Sequence, residues 1–350
     1  MAEVSIALRN LWALSFGDGV EPREPTPSTT VYDEPHRHLR RYQSEVPATG
    51  KPVLLVPPLA VTIACYDLRP GQSLVRFLLD AGRPVYVIDY GEITYSDRHL
   101  GFEEWTEDIV PAAIRRVSEE HDGETVDVIG WSFGGTISVL TAASHPELPI
   151  SSVTAVGTPF DQRRNPGSTV PRVIGQVTGG REVVVPTRLL GGIPKYLVRA
   201  GFRVQAFDRE IKKPLFIARN LTDTEALARM QSVDRFMAEM PGYPGRFYRQ
   251  VWRSLMVRNE MWTGTVRLAP GTTIELSNLR CPVLLLGSRR DVLAPAGSVA
   301  AGVEVLTGAA SARFVEVPGS HLGMIAGPQA RETSWVAITE FHAEASLVRV

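Results

Sequence analysis

Residues 125–140 read Thr-Val-Asp-Val-Ile-Gly-Trp-Ser-Phe-Gly-Gly-Thr-Ile-Ser-Val-Leu, and this stretch leaves few options for the chain around it. An apolar strand runs into a sharp turn, and the turn runs straight into a helix. Gly130-Trp131-Ser132-Phe133-Gly134 has the G-x-S-x-G form of a nucleophile elbow, in which a strained turn presents the serine at the strand end. Gly130 and Gly134 omit side chains where strand and helix pass closest, and Gly135 extends that clearance. Ser132 then sits at a helix N-terminus, where backbone N–H groups and the positive dipole end favour a developing oxyanion. The bare pattern arises by chance in roughly one chain of this length in ten. Its weight therefore depends on whether partner residues lie downstream in the right order.

The flanking segments alternate. Pro52-Val-Leu-Leu-Val-Pro57 is a buried strand, residues 71–81 a helix, and Pro84-Val-Tyr-Val-Ile-Asp89 a second buried strand. Residues 102–121 form an amphipathic helix that stops at Gly123, and the elbow strand comes next. Strand, helix, strand, helix, strand, helix predicts a mostly parallel sheet with helices on both faces. Further strands are expected at 150–156, 281–287 and 312–317, with a closing helix from Gln329 to Glu344 and two short strands at 29–32 and 36–43. Residues 162–265 lose the alternation. They begin rich in Gly, Pro and Arg and turn helical and aromatic, with Phe202, Phe216, Phe236, Tyr243, Phe247 and Trp252. The expected division is an N-terminal helix and linker (1–28), an α/β-hydrolase core (29–161 and 266–350), and a helical cap or lid insertion (162–265). Most of the aromatics should form the cap's own core, and a minority an acyl-chain pocket.

A serine needs a base, and the base needs an orienting group. His321, in a loop after the last strand, is the candidate base. Asp291, in the loop after the preceding strand, is the candidate orienter. Ser132, Asp291, His321 is the chain order of α/β-hydrolases, and all three fall at the ends of parallel strands. Asp161, after the strand at 150–156, competes for the role of the acid. The other histidines, His36, His38, His99, His121, His145 and His342, read as surface residues. In the oxyanion hole, Phe133 supplies one N–H. Pro57 and Pro58 have none to give, so Leu59 or Ala60 supplies the second.

The 350 residues are 44% apolar and 21% charged, as in ordinary globular chains. A net charge of −1 suggests no basic field for nucleic acid or an anionic membrane. Cys65 and Cys281 form no CxxC and accompany no zinc-like His cluster, so they read as small apolar residues of a reduced, cytoplasmic chain. No signal peptide and no membrane-spanning run is expected. Val4, Leu8, Leu11 and Trp12 form a helical apolar stripe, expected to pack on the body of the protein. The alternative is contact with a partner or a lipid surface.

The runs Tyr66-Asp67-Leu68-Arg69-Pro70 and Val85-Tyr-Val-Ile-Asp-Tyr-Gly91 resemble the polyhydroxyalkanoate synthase family, above all its short class III catalytic subunits. Thr158-Pro159-Phe160-Asp161, Asp291-Val-Leu-Ala-Pro295 and Gly319-Ser320-His321-Leu322-Gly323 continue the likeness, which runs from about residue 30 to the end. The resemblance implies an α/β-hydrolase fold with a cap, and a triad on Ser132, Asp291 and His321. It also brings a partner subunit into view; the sequence leaves that and a homo-oligomer open. One departure stands out. The family's polymerases carry cysteine at the elbow, and this chain carries Ser132. A thiolate suits repeated thioester exchange with acyl-CoA, whereas a serine activated by histidine suits oxygen esters with water as acceptor. The expected activity is therefore a serine esterase or lipase acting on esters with hydrophobic acyl chains. It needs no metal and no organic cofactor. An acyltransferase using acyl-CoA or lipid donors is the alternative, and a non-catalytic subunit the third reading.

Overall fold

The apolar runs around the elbow become the middle of one eight-stranded sheet in the computed structural model, which describes residues 2–205 and 207–347. Its strands are β1 (Ser28–Tyr32), β2 (His38–Tyr42), β3 (Val53–Val56), β4 (Val85–Asp89), β5 (Val126–Trp131), β6 (Ile150–Val156), β7 (Val283–Gly287) and β8 (Ala312–Glu316). They lie in the order β1-β2-β4-β3-β5-β6-β7-β8. Only β2 runs against the rest, pairing antiparallel with both β1 and β4. Every residue of β3, β5 and β7 is buried, because helices cover both faces of the sheet. Side chains of one face pack with α3 (Val110–Glu119) and α4 (Phe133–Ser144). Those of the other face pack with α2 (Leu74–Asp80) and the closing helix Ser334–Leu347. The parallel strands end at one edge, where the loops after β3, β5, β6, β7 and β8 converge.

Some boundaries differ from expectation. The helix predicted over 71–81 starts at Leu74, where the Ser73 hydroxyl caps it by accepting from the Arg76 N–H. The helix at 102–121 opens with a π-helical stretch, Glu104–Ile109, that buries Trp105 and Ile109.

Between β6 and β7 lie α5 (Thr169–Thr178), α6 (Arg181–Leu190), α7 (Lys195–Gln205), α8 (Phe207–Arg219), α9 (Thr224–Ala238) and α10 (Gly245–Gln250). A hairpin, Thr265–Ala269 with Thr272–Glu275, returns the chain to the sheet. The N-terminal helix α1 (Ala2–Ser15) lies against α9. Its inward face is not the stripe expected to pack. Asn10 is buried and donates to the Leu221 carbonyl (2.9 Å) and Thr224 Oγ1 (3.0 Å), with Ile6, Ala7, Ala13 and Leu14 beside it on that face. Val4, Leu8 and Trp12 face solvent. Two apolar faces competed on this helix, and the polar anchor of Asn10 decided between them.

Two other expectations fail. His342 is not a surface residue. It is buried in the closing helix beside an ion pair between Arg83 Nη2 and Asp127 Oδ2 (2.5 Å), which Ser152 Oγ joins by donating to Asp127 Oδ1 (2.6 Å). Burial pushes the imidazole down to about 4, against the pull of Asp127. The small net charge also hides a segregation. Residues 162–265 carry 18 Lys and Arg against 8 Asp and Glu, a net +10, and the remainder carries 19 against 30, a net −11. The reading of a chain without a basic field holds for the total and not for the insertion. The two cysteines are buried and free; burial pushes the Cys65 thiol up and that of Cys281 up to about 12.

Candidate active site

Ser132 makes the turn between β5 and α4 alone, at φ +56° and ψ −122°. Such a backbone costs on the order of 1–3 kcal/mol and persists only where its surroundings fix it. Those surroundings are tight. A Cβ on Gly130 would lie 2.4 Å from the Gly134 carbonyl oxygen, one on Gly134 2.0 Å from that of Val56, and one on Gly135 2.0 Å from Thr158 Oγ1. The turn is also tied to β6: Ser132 N donates to the Val156 carbonyl (2.8 Å), and the Ser132 carbonyl accepts from Thr158 Oγ1 (3.0 Å).

The approach of Gly134 to Val56 presses the loop after β3 against the elbow. Leu59 and Ala60 form a buried turn there, with Ala60 at φ +63°. Tyr66 fastens the same junction. Its buried hydroxyl donates to the Val56 carbonyl (2.7 Å) and accepts from the Trp131 N–H (3.1 Å), bridging the ends of β3 and β5. Burial holds the Tyr66 hydroxyl well above its ordinary range, so it stays protonated. Sequence reasoning missed this role, because it depends on two strands distant in the chain lying side by side.

The loops after β7 and β8 bring Asp291 and His321 together. His321 Nδ1 lies 2.6 Å from Asp291 Oδ2. The other carboxylate oxygen accepts from the N–H groups of Leu293 (2.8 Å) and Ala294 (3.0 Å), so the buried side chain is fully engaged and aimed. With Nδ1 donating to a carboxylate, Nε2 is left as the acceptor. Trp131 steadies the histidine from the elbow side. The indole N–H donates to the His321 carbonyl (3.0 Å), and the two ring centroids are 5.1 Å apart. Gly157, at φ +58° after β6, leaves the imidazole room; a Cβ there would stand 3.1 Å from its Cε1. Ser132 and His321 thus flank the same strand end. Ser132 Oγ hydrogen-bonds no described residue, and such bonds often tighten only when substrate is bound.

Asp161 is elsewhere engaged. Its carboxylate accepts from Arg163 Nε (3.0 Å), the Arg163 N–H (3.0 Å) and Asn259 Nδ2 (2.7 Å). Burial alone would raise its pKa, but these bonds prevail and hold it down at about 2. They join the loop after β6 to the far end of the insertion, and none reaches His321.

A cavity of about 890 Å³ opens beside His321 and Trp131, walled by Phe202, Phe216, Phe236 and Met240 from the insertion. Tyr243, Phe247 and Tyr248 pack among themselves and onto the elbow. Phe247 stacks on Phe102 (4.8 Å between centroids) and Tyr243 on Phe247 (6.1 Å), and both meet the Phe133 ring edge-on.

Residues 51–328 match the family model described as alpha/beta hydrolase fold. The chain is similar to the poly(3-hydroxyalkanoate) polymerase subunit PhaC of Thiocystis violacea, at 26% identity over 94% of this chain and 90% of the relative. The corresponding protein of Synechocystis sp. is 28% identical over 85% of this chain and 79% of its own length. Among solved structures, the monoacylglycerol lipase of Paleococcus ferrophilus aligns with a TM-score of 0.52 at 20% identity, covering 88% of this chain and 99% of the lipase. MenH from S. aureus aligns with a TM-score of 0.53 at 13% identity, covering 88% and 99%. At these identities the two structures speak to the fold alone.

Proposed function

The chain belongs to the α/β-hydrolase fold family, and from that premise we propose that it is a serine hydrolase cleaving carboxylic esters with hydrophobic acyl chains. The observation that carries the reading is Ser132 in a positive-φ elbow at the strand end where His321, held by Asp291 at 2.6 Å, also sits. In this reading His321 Nε2 takes the proton from Ser132 Oγ as the oxygen attacks the ester carbonyl. The N–H of Phe133 and one from the Leu59–Ala60 turn hold the oxyanion; each donor is worth about 2.7–4 kcal/mol of barrier. Protonated His321 gives its proton to the leaving alcohol. It then takes a proton from water, which attacks the acyl-enzyme, and passes that proton to Ser132 Oγ as the acid is released. Asp291 holds Nδ1 and stabilises the imidazolium throughout. The insertion acts as a cap, and the 890 Å³ cavity is an acyl site of suitable size and lining.

A second reading, acyl transfer to an alcohol, draws support from curated relatives named as polymerases that match nearly the whole chain. It uses the same residues and differs in the acceptor. The serine oxygen at the elbow favours hydrolysis.

A fluorophosphonate probe tests the core of both readings. Label is expected on the wild type and lost in Ser132→Ala; label that does not depend on Ser132, or none at all, refutes them. Nitrophenyl esters of graded chain length then separate the two. Turnover in water alone supports hydrolysis, and acyl release only when an alcohol is present supports transfer.

A further inference from the structure

We propose that the outer face of α5 and α6 docks on an anionic lipid surface. The two helices form a hairpin whose amphipathic pattern is turned inside out. Gly175 of α5 faces inward against Val257 and Trp252, and Val184 and Thr187 of α6 are buried. The opposite side of α5 presents Val170, Val173, Ile174 and Val177 at i, i+3, i+4 and i+7, with Val177 83% exposed. α6 adds Val185 and Leu189, the latter 77% exposed. An apolar face of this kind on the outside of a folded chain marks a binding surface.

Charge says what covers it. The face belongs to the segment that carries a net +10 in a chain of net −1. Arg181, Arg188 and Arg253 are exposed around it. Arg188, Arg246 and Arg253 crowd Arg249, whose guanidinium is pushed down by burial and by their like charge. Among the described residues Arg181, Arg188, Arg249 and Arg253 form no ion pair. The one carboxylate of the hairpin, Glu182, is turned inward, accepting from the Trp252 indole (2.9 Å) and from Thr178 Oγ1. Apolar side chains flanked by unpaired arginines suit the boundary between anionic headgroups and acyl chains, where both are satisfied together. A purely polyanionic partner would leave the valines uncovered.

Only the N-terminal end of α5 approaches the cavity. Asn165, just before α5, donates to the Leu293 carbonyl (2.8 Å), and Val292 and Leu293 line the cavity. The inference does not depend on the reaction proposed above, because binding is read without turnover.

Sedimentation with vesicles tests it. The wild type is expected to bind vesicles containing a third phosphatidylglycerol and to ignore pure phosphatidylcholine. It should come off at 1 M NaCl, where the screening length falls to about 3 Å. Arg181→Ser with Arg188→Ser should lower the partition coefficient about 30-fold, from about 1 kcal/mol for each basic residue near an anionic surface. Val177→Asp with Leu189→Asp should abolish binding. These side chains are exposed, so an unchanged Tm and circular dichroism spectrum verify the fold. Equal binding to both vesicle types, no binding by the wild type, or variants that bind like wild type overturn the proposal. So does a wild-type dimer that Val177→Asp with Leu189→Asp turns into a monomer, for then a second copy covers the face.

Discussion

Gly134→Ala tests the geometry of the elbow more sharply than removal of a reactive group. The new methyl carbon would start 2.0 Å from the Val56 carbonyl oxygen and 2.8 Å from the Pro57 carbonyl carbon. An ordinary carbon–oxygen contact lies near 3.4 Å, so the start of α4 and the end of β3 must part by about 1.4 Å. Neither side yields cheaply, since both partners are backbone and Tyr66 bolts β3 to β5. Overpacking of this kind costs about 1–3 kcal/mol of stability. The larger effect falls on chemistry. In the proposed mechanism the parting carries the Leu59–Ala60 turn away from the Phe133 N–H, and losing one oxyanion donor would cost about 10²–10³ in kcat. Steady-state kinetics on a soluble nitrophenyl ester, beside a thermal melt, should show both effects with KM little changed. Gly297→Ala is the control, because a Cβ there meets nothing within 4 Å. A Gly134→Ala enzyme with wild-type kcat and Tm would refute the argument that this contact sets the oxyanion hole.

Other substitutions separate the roles of the buried polar groups. Asp291→Asn should lower kcat by about 10⁴ at nearly unchanged Tm, as when a triad histidine loses its orienting acid. Asp161→Asn should instead lower Tm, and a larger loss of kcat at Asp161 would reverse the assignment. Tyr66→Phe strands the Trp131 N–H and the Val56 carbonyl; the melt should report a loss of about 1–3 kcal/mol, with kcat falling alongside. His342 is held down at about 4 by burial, whereas the unfolded chain titrates near 6.5. The unfolded state then binds more protons between those values, so this contribution to stability is complete above pH 6.5 and is lost as pH falls towards 4. The loss is on the order of 3 kcal/mol, and His342→Gln should flatten urea-derived stability across that window.

The parts of the candidate site legible in the sequence are those announced by local pattern. Ser132 lies in a glycine-framed turn between a strand and a helix, and Asp291 and His321 each come a few residues after a strand. The parallel sheet was legible in the alternation for the same reason. What escaped depends on contacts between distant segments. Tyr66 matters because β3 and β5 are neighbours. His342 is buried because the closing helix lies over Asp127 and Arg83. The face by which α1 docks was decided by Asn10 meeting Leu221 and Thr224, over 200 residues away. Charge segregation was present in the sequence, and summing over the whole chain concealed it.

Phe133 belongs to two assemblies at once. Its main chain begins α4 beside Ser132, and its ring is gripped by Tyr243 and Phe247. In the proposed mechanism, the packing of the insertion and the oxyanion donor beside Ser132 therefore meet in one residue. Binding energy from a long acyl chain would be expressed at the carbonyl as well as at the chain. Lengthening the acyl group should raise kcat, not only lower KM, and Phe133→Ala should uncouple the two while leaving the shortest esters least affected.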